Sequence, residues 1–156
     1  MKMNEKRTVF ILAAGLGTRL KELTSDKPKA LVELNQKPLL EIVIDNLISQ
    51  NFNHFVINIH HFGEKIIDFV KEKKYDGVEI EISDEREVLL DTGGAILQAL
   101  PYFKDSKAVL IHNVDIISNL DLNALYNTHL EDRQRPLATL LVSSRETSRY
   151  FLFDGD

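Results

Sequence analysis

Short apolar runs rich in β-branched and aromatic residues alternate in this chain with longer segments whose apolar residues recur at helical spacing. That alternation constrains the fold more than any other feature. The runs are Thr8–Ala13, Phe55–Ile59, Val78–Ile82, Ala108–Ile111, Leu137–Val142 and Tyr150–Phe153, each reading as a strand. Between the first two, Leu39, Leu40, Val43, Ile44, Leu47 and Ile48 make one apolar stripe on a helix opened by Pro38. Ile66, Ile67 and Val70 mark a second helix, and Lys71, Lys73 and Lys74 in its last turn complement the helix dipole. A third helix is predicted from near Thr92 to just before Pro101, and a fourth over Asp121–Glu131. Strands separated by helices pair through crossovers, so the sequence predicts an α/β fold of three αβα layers around a mostly parallel sheet. Ligands of such sheets bind beyond the carboxyl ends of the strands. The residues that follow each run are therefore the candidates for function.

A chain of 156 residues fits one domain over residues 1–156, burying about 68–70% of the surface its unfolded form exposes. The absence of cysteine excludes a disulfide framework and any thiolate metal site. No apolar segment reaches the roughly 18 residues of a membrane span, and "MKMNEKR" leads into a run too short for a signal peptide. A cytoplasmic protein without a membrane partner is the expectation. A net charge of −5 speaks against nucleic-acid binding, which rests on clustered cations. Residues 1–37, however, carry eight lysines and arginines against four carboxylates, a local cationic segment that suits a small anionic ligand. Uneven surface charge is the plainer alternative. At the other end, "YFLFDGD" is a strand followed by an Asp-Gly turn signal. The chain stops where a hairpin partner is expected, so a domain truncated at its C-terminus is predicted.

The first run ends in "AAGLGTRL", which fits neither common phosphate motif. The dinucleotide fingerprint needs a third glycine where Leu20 stands, and the P-loop needs a Gly-Lys-Ser/Thr triplet that is absent. What remains is two glycines, Gly15 and Gly17, that let backbone approach a ligand, a hydroxyl at Thr18 and a guanidinium at Arg19 whose fork matches phosphate oxygens. A tight loop with a surface arginine would look the same. Further on, Pro28 fixes the chain ahead of Lys29, and the apolar stretch Ala30–Leu34 anchors that lysine's backbone. Lysine there is a compact charge able to neutralise a phosphoryl group.

Taken together, "LAAGLGTRL" and "KPKALVELNQKPLLE" resemble the signature of the sugar-1-phosphate nucleotidyltransferases, or NDP-sugar pyrophosphorylases. The resemblance continues through "EVLLDTGGAILQAL" and "LIHNVDI", so it covers Thr8 to about Val142. It is nearest to short bacterial members, among them N-acetylmuramate 1-phosphate uridylyltransferases and mannose-1-phosphate guanylyltransferases. It implies a Rossmann-like nucleotidyltransferase sheet, an NTP and a sugar 1-phosphate as substrates, and Mg²⁺ as cofactor. It also implies that Ala14, Gly15, Gly17, Thr18 and Arg19 surround the nucleotide, with Arg19 on the phosphates that leave as pyrophosphate. Lys29 then contacts the phosphates at the reacting centre, and Asp115, just past a strand, binds the metal. Gly93 and Gly94, poor helix formers in a first turn, border the nucleobase beside Thr92. Glu87 and Leu90 also match the pattern ahead of this turn.

One position departs from the family: Val114 stands where glycine precedes the aspartate, and its side chain is expected to narrow the space beside the sugar or metal. His60 and His61 follow the second strand, but adjacent strand residues face opposite ways and make a poor chelating pair, so they stay outside the predicted site. Two functions remain open. One is an enzyme that makes an NDP-sugar. The other is a non-catalytic nucleotide-binding or regulatory module, since family members carry a second metal-binding aspartate and much of the sugar pocket beyond this region.

Overall fold

The computed structural model describes residues 5–142 and residue 146. Among the described residues are six strands and four α-helices: β1 (Thr8–Leu12), β2 (Glu33–Leu34), β3 (Lys37–Pro38), α1 (Leu39–Ser49), β4 (His54–Ile59), α2 (Gly63–Lys73), β5 (Glu79–Asp84), α3 (Asp91–Ala99), β6 (Val109–Asn113) and α4 (Leu122–Glu131). The main sheet is wholly parallel, in the order β5-β4-β1-β6. β1 is central, with Leu12 opposite Asn58 on one side and Asn113 on the other. All six residues of β4 are buried, as expected of a parallel strand covered on both faces.

Alternation along the strands divides the core in two. Val9, Ile11, Phe55, Ile57 and Ile59 face Leu40, Val43, Ile44 and Leu47 of α1, Ile66 of α2, and Leu122 and Tyr126 of α4. Phe10 and Val56 face Ala95 and Ala99 of α3, joined by Tyr102 and Phe103 of the 3-10 turn that follows it. The three layers are thus uneven, with one helix on one face and three on the other. Right-handed crossovers explain the split. The chain moves from β1 to β4 to β5 in one direction, then returns past β1 to β6, so the helix of the return crossover lies on the opposite face. The carboxyl ends of β1 and β6 flank the point where the strand order reverses, where open α/β sheets bind ligands.

The predicted helices fall where the stripes put them. Asp121 caps α4 by accepting from the Ala124 N–H at 2.8 Å, and Gln50 Oε1 accepts from Leu122 N–H at 2.7 Å. The strand expected at Leu137–Val142 is not formed; these residues have no regular structure, and Leu137 is 96% exposed. β6 is the edge of the described sheet; Leu137–Leu141 line a cavity together with β6, but no ladder joins the two among the described residues. The run Tyr150–Phe153 lies outside the described residues. A small antiparallel pair, β2 with β3, was not anticipated. Asn35 and Gln36 between them both have positive φ, at 52° and 64°, which is the geometry of a two-residue hairpin turn.

Candidate active site

β1 ends at Leu12, and the chain that leaves it forms one wall of a cleft of about 230 Å³. Leu12, Ala13, Ala14 and Gly15 line it from β1; Asn113, Val114 and Asp115 line it from the end of β6. Asn58 contributes from β4, Glu85 and Leu89 from the segment after β5, and Asp91 and Thr92 from the start of α3. Lys29 reaches in from a separate turn.

That turn is built as the apolar stretch suggests. Pro28 is buried, Ala30 is fully buried, and the N–H groups of Leu31 and Val32 donate to the carbonyls of Pro28 and Lys29 at 2.9 and 3.1 Å. Leu34 at the end of the stretch is 48% exposed and anchors nothing. The held backbone delivers the Lys29 ammonium to the Asp115 carboxylate, with which it forms an ion pair and hydrogen bond. The two residues are 86 positions apart, so Asp115 is engaged across the cleft rather than spent as a local cap. Asp115 follows β6 in a turn closed by the Ile116 N–H donating to the Asn113 carbonyl at 3.2 Å.

The glycine-rich loop closes over Lys29 from the other side. Gly17 has φ +65°, and a Cβ placed there would lie 2.9 Å from Thr24 Cγ2 and 3.2 Å from Lys29 Cβ. The second glycine is therefore required twice, by its left-handed backbone and by the approach of the loop to the lysine's own stem. Gly17→Ala should lower stability by about 1–3 kcal/mol; thermal unfolding measures it. A wild-type midpoint would show that the loop is not held against Lys29.

The other candidates divide. Ala14, Gly15, Lys29 and Asp115 line the cleft together with Thr92. Gly17, Thr18, Arg19, Gly93 and Gly94 do not line it, and Arg19 is exposed on the outer part of the loop. A Cβ on Gly94 would lie 2.8 Å from Leu90 Cβ, whereas one on Gly93 would meet nothing within 4 Å. Gly94 thus answers a packing need within α3, and Gly93 leaves open surface. Val114 is 3% exposed, belongs to the core beneath the cleft and also lines the cleft itself. His60 Nδ1 pairs with the Glu85 carbonyl at 2.7 Å, which is a structural role.

Asn58 and Glu85 were missed by sequence reasoning. Asn58 Oδ1 accepts from the N–H groups of Ala13 and Ala14 at 2.6 and 3.1 Å, and its Nδ2 donates to Glu85 Oε1 at 2.9 Å. Glu85 is 2% exposed, and its Oε2 is buried without a partner among the described residues. The available signal was positional: each residue sits at or just beyond the carboxyl end of a strand.

Among the described residues, His54, Glu79 and Glu81 are the group of three whose ligand atoms converge within 4.8 Å. This acidic group could take a divalent cation, but it belongs to the opposite, amino-terminal ends of β4 and β5. Its members already serve one another and their neighbours. His54 Nε2 pairs with Glu81 at 2.7 Å and Nδ1 with Thr8 at 2.8 Å, while Glu79 pairs with Lys6 at 3.3 Å.

The sequence pattern of the nucleotidyl transferase family matches residues 8–151. The chain belongs to this family. It is similar to an N-acetylmuramate alpha-1-phosphate uridylyltransferase of Caulobacter vibrioides, 38% identical over 113 residues, covering 71% of this chain and 46% of the relative. It is also similar to a D-glycero-alpha-D-manno-heptose 1-phosphate guanylyltransferase of Campylobacter jejuni, 36% identical over 116 residues, 74% of this chain and 51% of the relative. Among solved structures, HddC from Yersinia pseudotuberculosis complexed with GMP-PN superposes with a TM-score of 0.70 at 33% identity, over 80% of this chain and 55% of that one. The chain spans about half the length of these relatives. Among its described residues no helix is long and apolar enough to cross a membrane.

Proposed function

We propose that this chain supplies the nucleotide-binding, N-terminal portion of an enzyme that transfers a nucleotidyl group from an NTP to a sugar 1-phosphate. The observation that carries the reading is the meeting of Lys29 and Asp115 across a cleft at the strand-order reversal, beneath a glycine-rich loop. A phosphate oxygen of the sugar 1-phosphate attacks the α-phosphorus; the bond from that phosphorus to the oxygen bridging the α- and β-phosphorus breaks, and pyrophosphate leaves. Such a reaction offers little covalent chemistry to a protein, so positioning and charge neutralisation do the work. Lys29 neutralises the phosphoryl oxygens at the reacting centre. Gly15 and Gly17 allow the loop to follow the phosphates closely, Thr18 offers a hydroxyl, and Arg19 attends the departing pyrophosphate from the loop's outer part. Gly93 and Gly94 border the base, Gly93 through its open surface and Gly94 by letting the start of α3 pack close to Leu90.

Asp115 is a hard oxygen donor at the edge of the cleft and lies against a lysine that it can exchange for a cation. One carboxylate plus substrate phosphates is the usual magnesium arrangement, so the residue fits Mg²⁺. Bound there, the ion would supply Lewis-acid stabilisation of phosphoryl charge.

Glu85 lines the same cleft with one buried carboxylate oxygen that has no partner among the described residues, and can accept a hydrogen bond from a ligand N–H or O–H there. Every nucleobase but none of the phosphates offers such a donor, so it favours the nucleoside end of the substrate without choosing the base. The cleft's 230 Å³ falls below the roughly 300–1,000 Å³ of sites that enclose a ligand. It therefore suits part of a nucleotide, and supports the alternative that residues 1–156 alone bind nucleotide without turning it over.

Pyrophosphate release from each NTP with a panel of sugar 1-phosphates, run beside calorimetry with NTP and Mg²⁺, tests both. Turnover supports the enzyme, binding alone supports the module, and neither sinks the reading. Arg19→Ala should cost on the order of 10²-fold in turnover. Unchanged turnover would remove Arg19 from the mechanism.

A further inference from the structure

Where β1 ends, two backbone N–H groups lose their sheet partners while still buried. Ala13 is 3% and Ala14 6% exposed, so water cannot readily satisfy either donor. One side-chain oxygen takes both: Asn58 Oδ1 lies 2.6 Å from Ala13 N and 3.1 Å from Ala14 N. Asn58 stands directly opposite Leu12 in the β4–β1 register, so its side chain meets the strand's exit at the first positions after pairing ends. Its orientation is forced. The oxygen must face the two donors, and Nδ2 then donates to Glu85 Oε1 at 2.9 Å. Glu85 is itself fixed by its own N–H, which donates to the Ile59 carbonyl at 2.8 Å.

We propose that Asn58, oriented by Glu85, is a positioning residue that sets where the glycine-rich loop leaves the sheet and therefore where the triphosphate is held; this rests on the nucleotidyl-transfer reading. Three features support it over simple core packing. Asn58, Glu85, Ala13, Ala14 and Gly15 all line the same cleft. An aliphatic side chain at position 58 would fill the space but strand two buried donors, so the amide is chosen for its chemistry. The two alanine amides are also committed to the protein. The loop's first residue free to approach a ligand is Gly15, which is exposed and whose added Cβ would meet nothing within 4 Å. Asn58 thus draws the boundary between the fixed scaffold and the ligand-facing loop. Loops set on rigid neighbours hold reacting atoms where a displacement of about 1 Å costs about 10²-fold.

The test uses the full chain. In hydrogen exchange followed by NMR, the Ala13 and Ala14 amides of the wild type should exchange at least about tenfold more slowly than Gly15. Equal rates would overturn the proposal whatever any variant does. Asn58→Ala should lower kcat by about 10²-fold while changing the nucleotide Kd, read by calorimetry with Mg²⁺, by less than about tenfold. Glu85→Ala should reproduce part of that loss, and the double variant should fall little below Asn58→Ala, because two residues acting through one contact are not additive. Additive losses, or an Asn58→Ala enzyme with wild-type kcat, would overturn the inference and leave the functional reading standing. A wild type that binds no NTP overturns both. Should Asn58→Ala not fold, Asn58→Asp combined with Glu85→Gln, which keeps an acceptor for both amides and turns a donor rather than a second carboxylate toward it, must retain their slow exchange; fast exchange there counts against the proposal.

Discussion

Asp115→Asn is expected to lower kcat/KM by about 10²–10³-fold, the loss usual when one preorganised charge-stabilising group is removed, while leaving the fold intact. The substitution is nearly isosteric. The carboxylate side chain is 41% exposed and its partner is the Lys29 ammonium. An exposed ion pair of this kind contributes about 0.2–1 kcal/mol to stability, too little to unfold a domain. Activity and stability therefore part company, and that separation distinguishes a functional carboxylate from a structural one. Turnover with NTP, sugar 1-phosphate and Mg²⁺, measured beside thermal unfolding, gives both numbers. A variant with wild-type turnover would remove Asp115 from the reaction. One that unfolds early would make it a structural residue.

Legibility in the sequence follows the range of the forces involved. β1, β4 and α1 are readable because each carries its own signal: a continuous β-branched run or a helical apolar stripe fixes both type and buried face. Leu137–Val142 has the same local signal, but it faces the free edge of β6 across a cavity without joining it in a ladder, and strand formation, unlike helix formation, needs a paired second segment. The hairpin of β2 and β3 is too short to show a period, and its Asn35-Gln36 turn lacks the glycine that usually marks such turns. The site divides along the same line. Lys29 and Asp115 stand out through motif and strand context, and the fold brings them together from 86 residues apart. Asn58 and Glu85 act through contacts between neighbouring segments, with one carboxamide serving amides 44 and 45 positions earlier in the chain. No local pattern announces that. Arg19 marks the opposite limit: a motif can name a residue that is exposed and does not line the cleft.

Lys29→Met should have effects of opposite sign on the two ligands of the cleft, which makes it the more discriminating experiment. Methionine keeps an unbranched stem beside Gly17 and removes the charge. On the proposed reading the ammonium neutralises phosphoryl oxygens, so kcat/KM should fall by about 10²–10³-fold and NTP binding should weaken. The same ammonium pairs with the Asp115 carboxylate, so a divalent cation must compete with it. Releasing the carboxylate from a pair worth about 0.2–1 kcal/mol corresponds to metal binding tighter by about 1.4- to 5-fold in the absence of nucleotide. Mn²⁺ titration followed by electron paramagnetic resonance reads this directly and needs no turnover. Tighter metal with weaker nucleotide would place both ligands against one lysine–aspartate pair. If both affinities fell together, the lysine would be holding up the cleft rather than competing within it. Unchanged metal affinity would mean that the cation binds elsewhere, and the far-end group of His54, Glu79 and Glu81 would become the next site to probe.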